Sequence, residues 1–210
     1  MSNKSGVILF SGTGSNLENL LKNKSNLDGK LIYKAAFTNN PSAKGLVICQ
    51  KYSLDAVKSE SNSLNSDLSN FLEKYDPDLI ILSGYMKILP VDITKKYEGK
   101  IINIHPSLLP KYPGLDTHEK AISNNDEFHG ATVHYVNEKM DDGPIILQGL
   151  FKLHNESDID KIKNLVHKVE HIIFPIVVKW IAHDIVKLKG DAVYINGNRI
   201  NSSIKYIIND

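Results

Sequence analysis

Apolar and polar positions alternate in blocks along this chain, and the blocks change character near its middle. Val7-Ile8-Leu9-Phe10, Leu31 to Thr38, Ala56-Val57 and Asp78-Leu79-Ile80-Ile81-Leu82 are short apolar runs bounded by glycine, proline or polar turns. Runs of this length with so little alternation predict strands covered on both faces, as in a parallel sheet. Between them Leu17, Leu20 and Leu21 recur at helical spacing, so a helix is expected from about Leu17. A second is expected over Ala43 to Tyr52. The polar, serine-rich stretch from Ser59 to Asp67 reads as a surface loop passing into a third helix that ends near Tyr75.

A short helix near Val91 to Tyr97 leads to a strand at Ile101 to His105, and Thr117 to Asn124 is expected to be helical. Gly130 to Val136 and Ile145 to Leu153 read as two strands, antiparallel to each other, flanking an acidic loop. Ser157 to Ala182 has the pattern of a long amphipathic helix with Ser157 or Asp158 at its cap, and Pro175 is expected to kink or break it. The tail from Ala192, around Asn196-Gly197-Asn198, predicts a hairpin. The fold class is therefore α/β, a Rossmann-like open twisted sheet, mostly parallel with antiparallel strands in the C-terminal half and helices on both faces. We expect one domain over residues 1–210, built of a half at 1–100 and a half at 101–210.

Composition narrows the classes of partner. The chain has 210 residues, 41% of them hydrophobic, enough for a core without staples, and Cys49, its only cysteine, excludes an intrachain disulfide. With 25 basic and 24 acidic residues the formal charge is +1, so no nucleic-acid partner is expected. Arg199 is the only arginine, which leaves anions to lysines, backbone amides and polar side chains. No run reaches transmembrane length and no secretory leader is visible, so no membrane association and a cytoplasmic location are expected.

Candidate chemistry sits where the pattern changes. On a strand at 101–105, Asn103 and His105 project from one face while Ile102 and Ile104 project from the other. A lone histidine near a strand end is ordinarily structural. Here it shares its face with an amide, it ends an apolar strand stiffened by Pro106 and Pro110, and Met140-Asp141-Asp142-Gly143-Pro144 supplies a carboxylate loop. An amide, an imidazole and a carboxylate together can move a proton and steady a developing oxyanion, which is the chemistry of acyl transfer. Near the N-terminus, Ser11-Gly12-Thr13-Gly14-Ser15-Asn16 forms a strand-turn-helix junction whose free amides suit a phosphate. It lacks the third glycine of a dinucleotide fingerprint and the Gly-Lys-Ser/Thr of a Walker loop. His105, His118, His129 and His134 show no His-x3-His spacing and no cysteine pair supports them, so no metal is expected. Cys49 reads as a small buried thiol on an amphipathic helix.

Taken in order, the Ser11 to Asn16 turn, Gly84-Tyr85-Met86-Lys87-Ile88-Leu89, Asn103 to Gly114 and Met140 to Pro144 resemble the phosphoribosylglycinamide formyltransferase family, over nearly the whole chain. That resemblance implies transfer of the formyl group of 10-formyltetrahydrofolate to the amine of glycinamide ribonucleotide, with the folate as cosubstrate and no metal. It makes Asn103, His105 and Asp141 the catalytic group, with Asp141 preferred over Asp142 because the family acid stands two residues before the glycine. Gly14, Ser15 and Asn16 become the phosphate clasp, and His167, Lys168, Val169 and Glu170 join the ribonucleotide site. Met86, Lys87, Ile88 and Leu89, with Asn103 and the loop of Asn137, Glu138, Lys139, Met140 and Asp141, become the folate pocket. Two departures stand out: relatives commonly carry arginine at the position of Lys87, and many have an arginine in the stretch matching 58–67, where this chain has none.

The alternatives are a formyltetrahydrofolate hydrolase, a methionyl-tRNA formyltransferase or another folate-dependent formyltransferase, which share the Asn-His-Asp group, and a non-catalytic nucleotide-binding protein. The phosphate turn near the start and the chain's length favour glycinamide ribonucleotide as acceptor. A monomer or a homodimer is expected.

Overall fold

Each apolar run of the N-terminal half becomes a strand, and the glycine or polar turn after it becomes the way into a helix. The computed structural model describes residues 3–59, 63–154 and 156–208. The chain divides into two compact units, Met1–Asn103 and Ile104–Asp210. In the first, β1 (Lys4–Phe10), α1 (Ser15–Lys22), β2 (Leu31–Thr38), α2 (Gly45–Lys51), β3 (Ala56–Lys58), α3 (Leu64–Tyr75), β4 (Leu79–Leu82), α4 (Val91–Lys96) and β5 (Ile101–His105) follow one another. Its strands lie in the order β5-β4-β1-β2-β3, every neighbouring pair parallel. Val7, Ile8, Leu9, Phe10, Ile80 and Ile81 are wholly buried, as near-continuous apolar strands require. Leu17, Leu20 and Leu21 turn inward from α1. Cys49 is buried on α2. Helix α1 starts two residues earlier than its apolar spacing indicates, because Gly14, with φ +81°, caps it at the turn itself. Residues 60–62 of the expected serine-rich loop lie outside the described residues.

The second unit takes up the chain at Ile104, within β5. It contains α5 (Thr117–Ser123), β6 (Phe128–Tyr135), β7 (Ile145–Lys152), α6 (Ile159–Ala182), β8 (Val186–Lys189), β9 (Ala192–Ile195), β10 (Asn198–Arg199) and β11 (Ile204–Ile207). β6 and β7 are antiparallel, and β11 lies parallel against the far edge of β7. The mixed, mostly parallel α/β architecture with its antiparallel pair in the C-terminal half is therefore the expected one. Close packing of α6 explains Gly149: a Cβ there would fall 2.4 Å from a Val169 methyl. Asp158 caps α6, its carboxylate accepting from the Asp160 and Lys161 amides.

Pro175 does not break that helix, which runs unbroken from Ile159 to Ala182. The residues around it, Ile173, Phe174, Val177 and Val178, are completely buried, and this burial outweighs one missing amide. The hairpin at Asn196-Gly197 is present between β9 and β10, both turn residues having positive φ. Strands β8 and β11 were not legible in the pattern, being short and only partly buried. Among the described residues, no helix is long and apolar enough to cross a membrane.

Candidate active site

Strand β5 brings Asn103 and His105 two residues apart, Asn103 half-buried and His105 5% exposed. The loop after β5 folds back so that His105 Nε2 lies 2.8 Å from the Tyr112 carbonyl. A carbonyl only accepts, so Nε2 must carry a proton. On the other side of the ring, Nδ1 is 3.4 Å from Asp141 Oδ2. Both ring nitrogens thus face acceptors, and only the doubly protonated imidazolium offers an N–H to each. The sequence-expected pair of His105 and Asp141 is brought together in the second unit.

Asp141 is held by groups to which the sequence reading assigns no part beside it. Its Oδ2 accepts from the Gly114 amide at 2.9 Å, and its Oδ1 lies 3.8 Å from His134 Nε2. His134 donates from Nδ1 to the Tyr135 carbonyl at 2.8 Å, and burial pushes its pKa below the ordinary histidine value. Asp141 has φ +53°, a left-handed conformation that aspartate tolerates better than most residues. The turn beyond it is equally constrained: a Cβ on Gly143 would fall 1.8 Å from the Tyr135 carbonyl oxygen, so only glycine fits. Asp142, the rival carboxylate, is exposed and pairs with Lys139 at 3.8 Å.

A second pair of histidines lies in the same unit. His118 Nδ1 and His129 Nε2 are 3.0 Å apart with their rings edge-on, so one donates and the other accepts. Burial lowers the pKa of both, that of His129 to about 4. No three His, Cys, Asp or Glu side chains among the described residues are arranged to hold a metal ion. On α6, His167 and Lys168 are exposed, whereas Glu170 is 5% exposed and Val169 packs into the core against Gly149. In the loop before Asp141, Asn137 is half-buried and Glu138, Lys139 and Met140 are exposed.

In the first unit the glycine turn is built by close approach. A Cβ on Gly14 would fall 2.8 Å from the Gly45 Cα, so the turn and α2 pack backbone to backbone. Gly14 is buried, and Ser15 and Asn16 are half-buried at the start of α1. Beside it the Ser11 hydroxyl accepts from the Met86 amide at 2.8 Å and donates to the Asn39 side chain, while Asn40 donates to the Ser11 carbonyl at 3.0 Å. Ser11, Asn39, Asn40, Leu64, Met86 and Lys87 line a cleft of about 440 Å³. Met86, Lys87 and Ile88 are exposed and Leu89 is buried. Asn39 and Asn40 were missed because nothing in their local sequence distinguishes them from an ordinary turn.

Residues 4–178 match the formyl transferase family. The chain is similar to the phosphoribosylglycinamide formyltransferase of Haemophilus influenzae, 36% identical over 203 residues that cover 94% of this chain and 96% of that one. The Escherichia coli protein of the same name is 36% identical over 92% of this chain and 94% of its own. Among solved structures, the phosphoribosylglycinamide formyltransferase of Anaplasma phagocytophilum superposes with a TM-score of 0.90 at 33% identity, covering 99% of this chain and all of that one.

Proposed function

The chain belongs to the formyl transferase family, and on that premise we propose that Asn103, His105 and Asp141 carry out its reaction. That reaction is phosphoribosylglycinamide formyltransferase activity in purine biosynthesis. The formyl donor is 10-formyltetrahydrofolate and the acceptor is the amine of glycinamide ribonucleotide.

The observation that carries the reading is the His105 ring, with Nε2 anchored on the Tyr112 carbonyl and Nδ1 beside Asp141. The uncharged amine attacks the formyl carbon, forming the new C–N bond and leaving negative charge on the formyl oxygen. Nδ1–H is held by Asp141 at a loose 3.4 Å, which leaves it available to that oxygen. The Asn103 side-chain amide supplies a second donor. Donors fixed in advance in this way are worth about 3 kcal/mol of barrier each. Collapse of the tetrahedral species breaks the bond from carbon to N10. The proton lost by the attacking amine is delivered to N10 by way of His105, so the ring ends as it began. His105 gives its proton to N10 and takes one back from the amine, and the Asp141 carboxylate beside Nδ1 steadies the ring in that exchange.

Binding is divided from this chemistry. Gly14, Ser15 and Asn16 hold the ribonucleotide phosphate with the amides and dipole end of α1. On α6, His167, Lys168 and Glu170 have polar groups to offer the ribonucleotide, whereas Val169, packed against Gly149, has none. Met86, Lys87, Ile88 and Leu89, with Asn103 and the loop of Asn137 to Asp141, receive the folate. Lys87 offers a point charge to a folate carboxylate where a guanidinium would offer a fork.

The test is an assay with both substrates that follows formylated ribonucleotide and free formate together. The reading expects one formyl transferred per tetrahydrofolate released. Formate release without transfer to the amine would replace it with a hydrolase.

A further inference from the structure

Behind the loop that anchors His105 runs a buried polar chain that neither substrate touches in the reading above. Thr132 on β6 and Gln148 on β7 are direct cross-strand partners, 0% and 4% exposed. The Thr132 hydroxyl donates to the Ser107 carbonyl at 2.6 Å and accepts from the Leu109 amide at 3.1 Å. Gln148 Nε2 uses both of its protons, one on the Leu109 carbonyl at 2.8 Å and one on the Thr132 hydroxyl at 3.1 Å. Its oxygen accepts from the Ser203 hydroxyl at 2.9 Å, at the foot of β11. Ser107 is itself wholly buried and donates to the Lys111 carbonyl at 2.6 Å, one residue before Tyr112.

Two consequences follow from the donor and acceptor inventory. An amide side chain has one accepting end and one donating end, so which end faces the loop depends on what meets the other. Ser203 donates to the oxygen, and this aims the NH2 at Leu109 and Thr132. Buried groups of this kind are costly to leave unpaired, so the loop from Ser107 to Lys111 is held at both its amides and its carbonyls. That loop delivers the Tyr112 carbonyl to His105 Nε2.

We infer that Gln148 is a positioning residue for His105, and that the C-terminal strand β11 takes part in catalysis through Ser203, which fixes the orientation of the Gln148 amide. The inference rests on the catalytic role given to His105 above. Gln148 touches no substrate; it sets where the imidazole stands, and an error of under an ångström in such a group is felt in turnover and not in binding.

The experiment compares Gln148→Leu, Ser203→Ala, Thr132→Val and Thr132→Ser with the native enzyme, all assayed well below their melting temperatures. Gln148→Leu is expected to lower kcat about 10-fold and Ser203→Ala about 3-fold, with KM for both substrates within about 2-fold. Thr132→Val should lower kcat as Gln148→Leu does, and Thr132→Ser, which keeps the hydroxyl, should restore it. The imidazole N–H resonance of His105, assigned by its loss in His105→Gln, should exchange faster with water in Ser203→Ala than in the native enzyme. Ser203→Ala removes only a partly buried hydroxyl, so it decides the matter whether or not Gln148→Leu folds. Native kcat together with a native His105 resonance in Ser203→Ala would overturn the inference, even if melting temperatures fall. His105→Gln separates the two layers: full turnover in that variant would overturn the catalytic assignment, whereas its loss beside a fully active Ser203→Ala overturns the positioning role alone.

Discussion

The glycine turn of the first unit and the histidine cluster of the second, to which the proposed function gives a phosphate and an oxyanion, are made of different material. Around Gly14 the working parts are backbone: amides at the start of α1, a positive φ and a contact with Gly45 that only glycine permits. Around His105 they are side chains, drawn from positions 105, 134 and 141, with carbonyls and amides from 112, 114 and 135 holding them. A backbone cradle is open and indifferent to protonation, which suits holding a phosphate. A buried imidazole against a carboxylate is sensitive to both position and charge, which suits making and breaking bonds. The proposed function makes this a division of labour, in which change at the turn is expected in KM and change at the cluster in kcat.

That division can be broken most forcefully at His105. His105→Gln keeps a donor of similar size but cannot give up and regain a proton, and turnover should fall by about 10³-fold with both KM values held within about 3-fold, as steady-state kinetics would record. The converse variant is Gly14→Ala. Its Cβ would press on Gly45 at 2.8 Å and its φ of +81° disfavours any side chain, so the amides of the turn must shift. KM for the ribonucleotide is expected to rise about 10-fold with kcat within about 3-fold, and a loss in kcat alone would erase the contrast.

The second histidine pair sharpens the comparison by showing what a buried imidazole does when its hydrogen-bond partner is another imidazole. Burial holds His129 at about 4, below the ordinary value of about 6.5 for an unfolded chain. Its neutral form is favoured by folding, so the contribution is complete above pH 6.5 and is lost as pH falls toward 4, where the unfolded chain binds the extra proton. Thermal melts of His129→Gln should therefore fall less steeply between pH 6.5 and 4 than those of the native protein. An unchanged slope would remove His129 from the acid sensitivity. The smallest effect is expected at Lys87, which is exposed: Lys87→Arg should lower KM for the folate about 2-fold to 3-fold by adding a forked contact, with kcat unaltered.

Much of this was legible along the chain because it is local. The period of two on β5 places Asn103 and His105 together, and the apolar runs mark β1, β2 and β4 without help from distant residues. The turn at Asn196-Gly197 speaks for itself. What was not legible is what depends on separation in sequence. His134 meets Asp141 only through the fold of the loop between β6 and β7, and the Tyr112 carbonyl and Gly114 amide have no side chain to announce them. At Pro175 the break that the local rule allows is overruled by the burial of Ile173, Phe174, Val177 and Val178.

The account turns on the charge that Asp141 sets beside Nδ1 of His105. Asp141→Asn keeps the size and the oxygen that accepts from Gly114 while removing that charge, so its turnover at saturating levels of both substrates is the most direct measurement. The account predicts kcat about 100-fold below native, with native melting behaviour and both KM values within about 3-fold. Turnover within about 3-fold of native in a folded Asp141→Asn enzyme would contradict it.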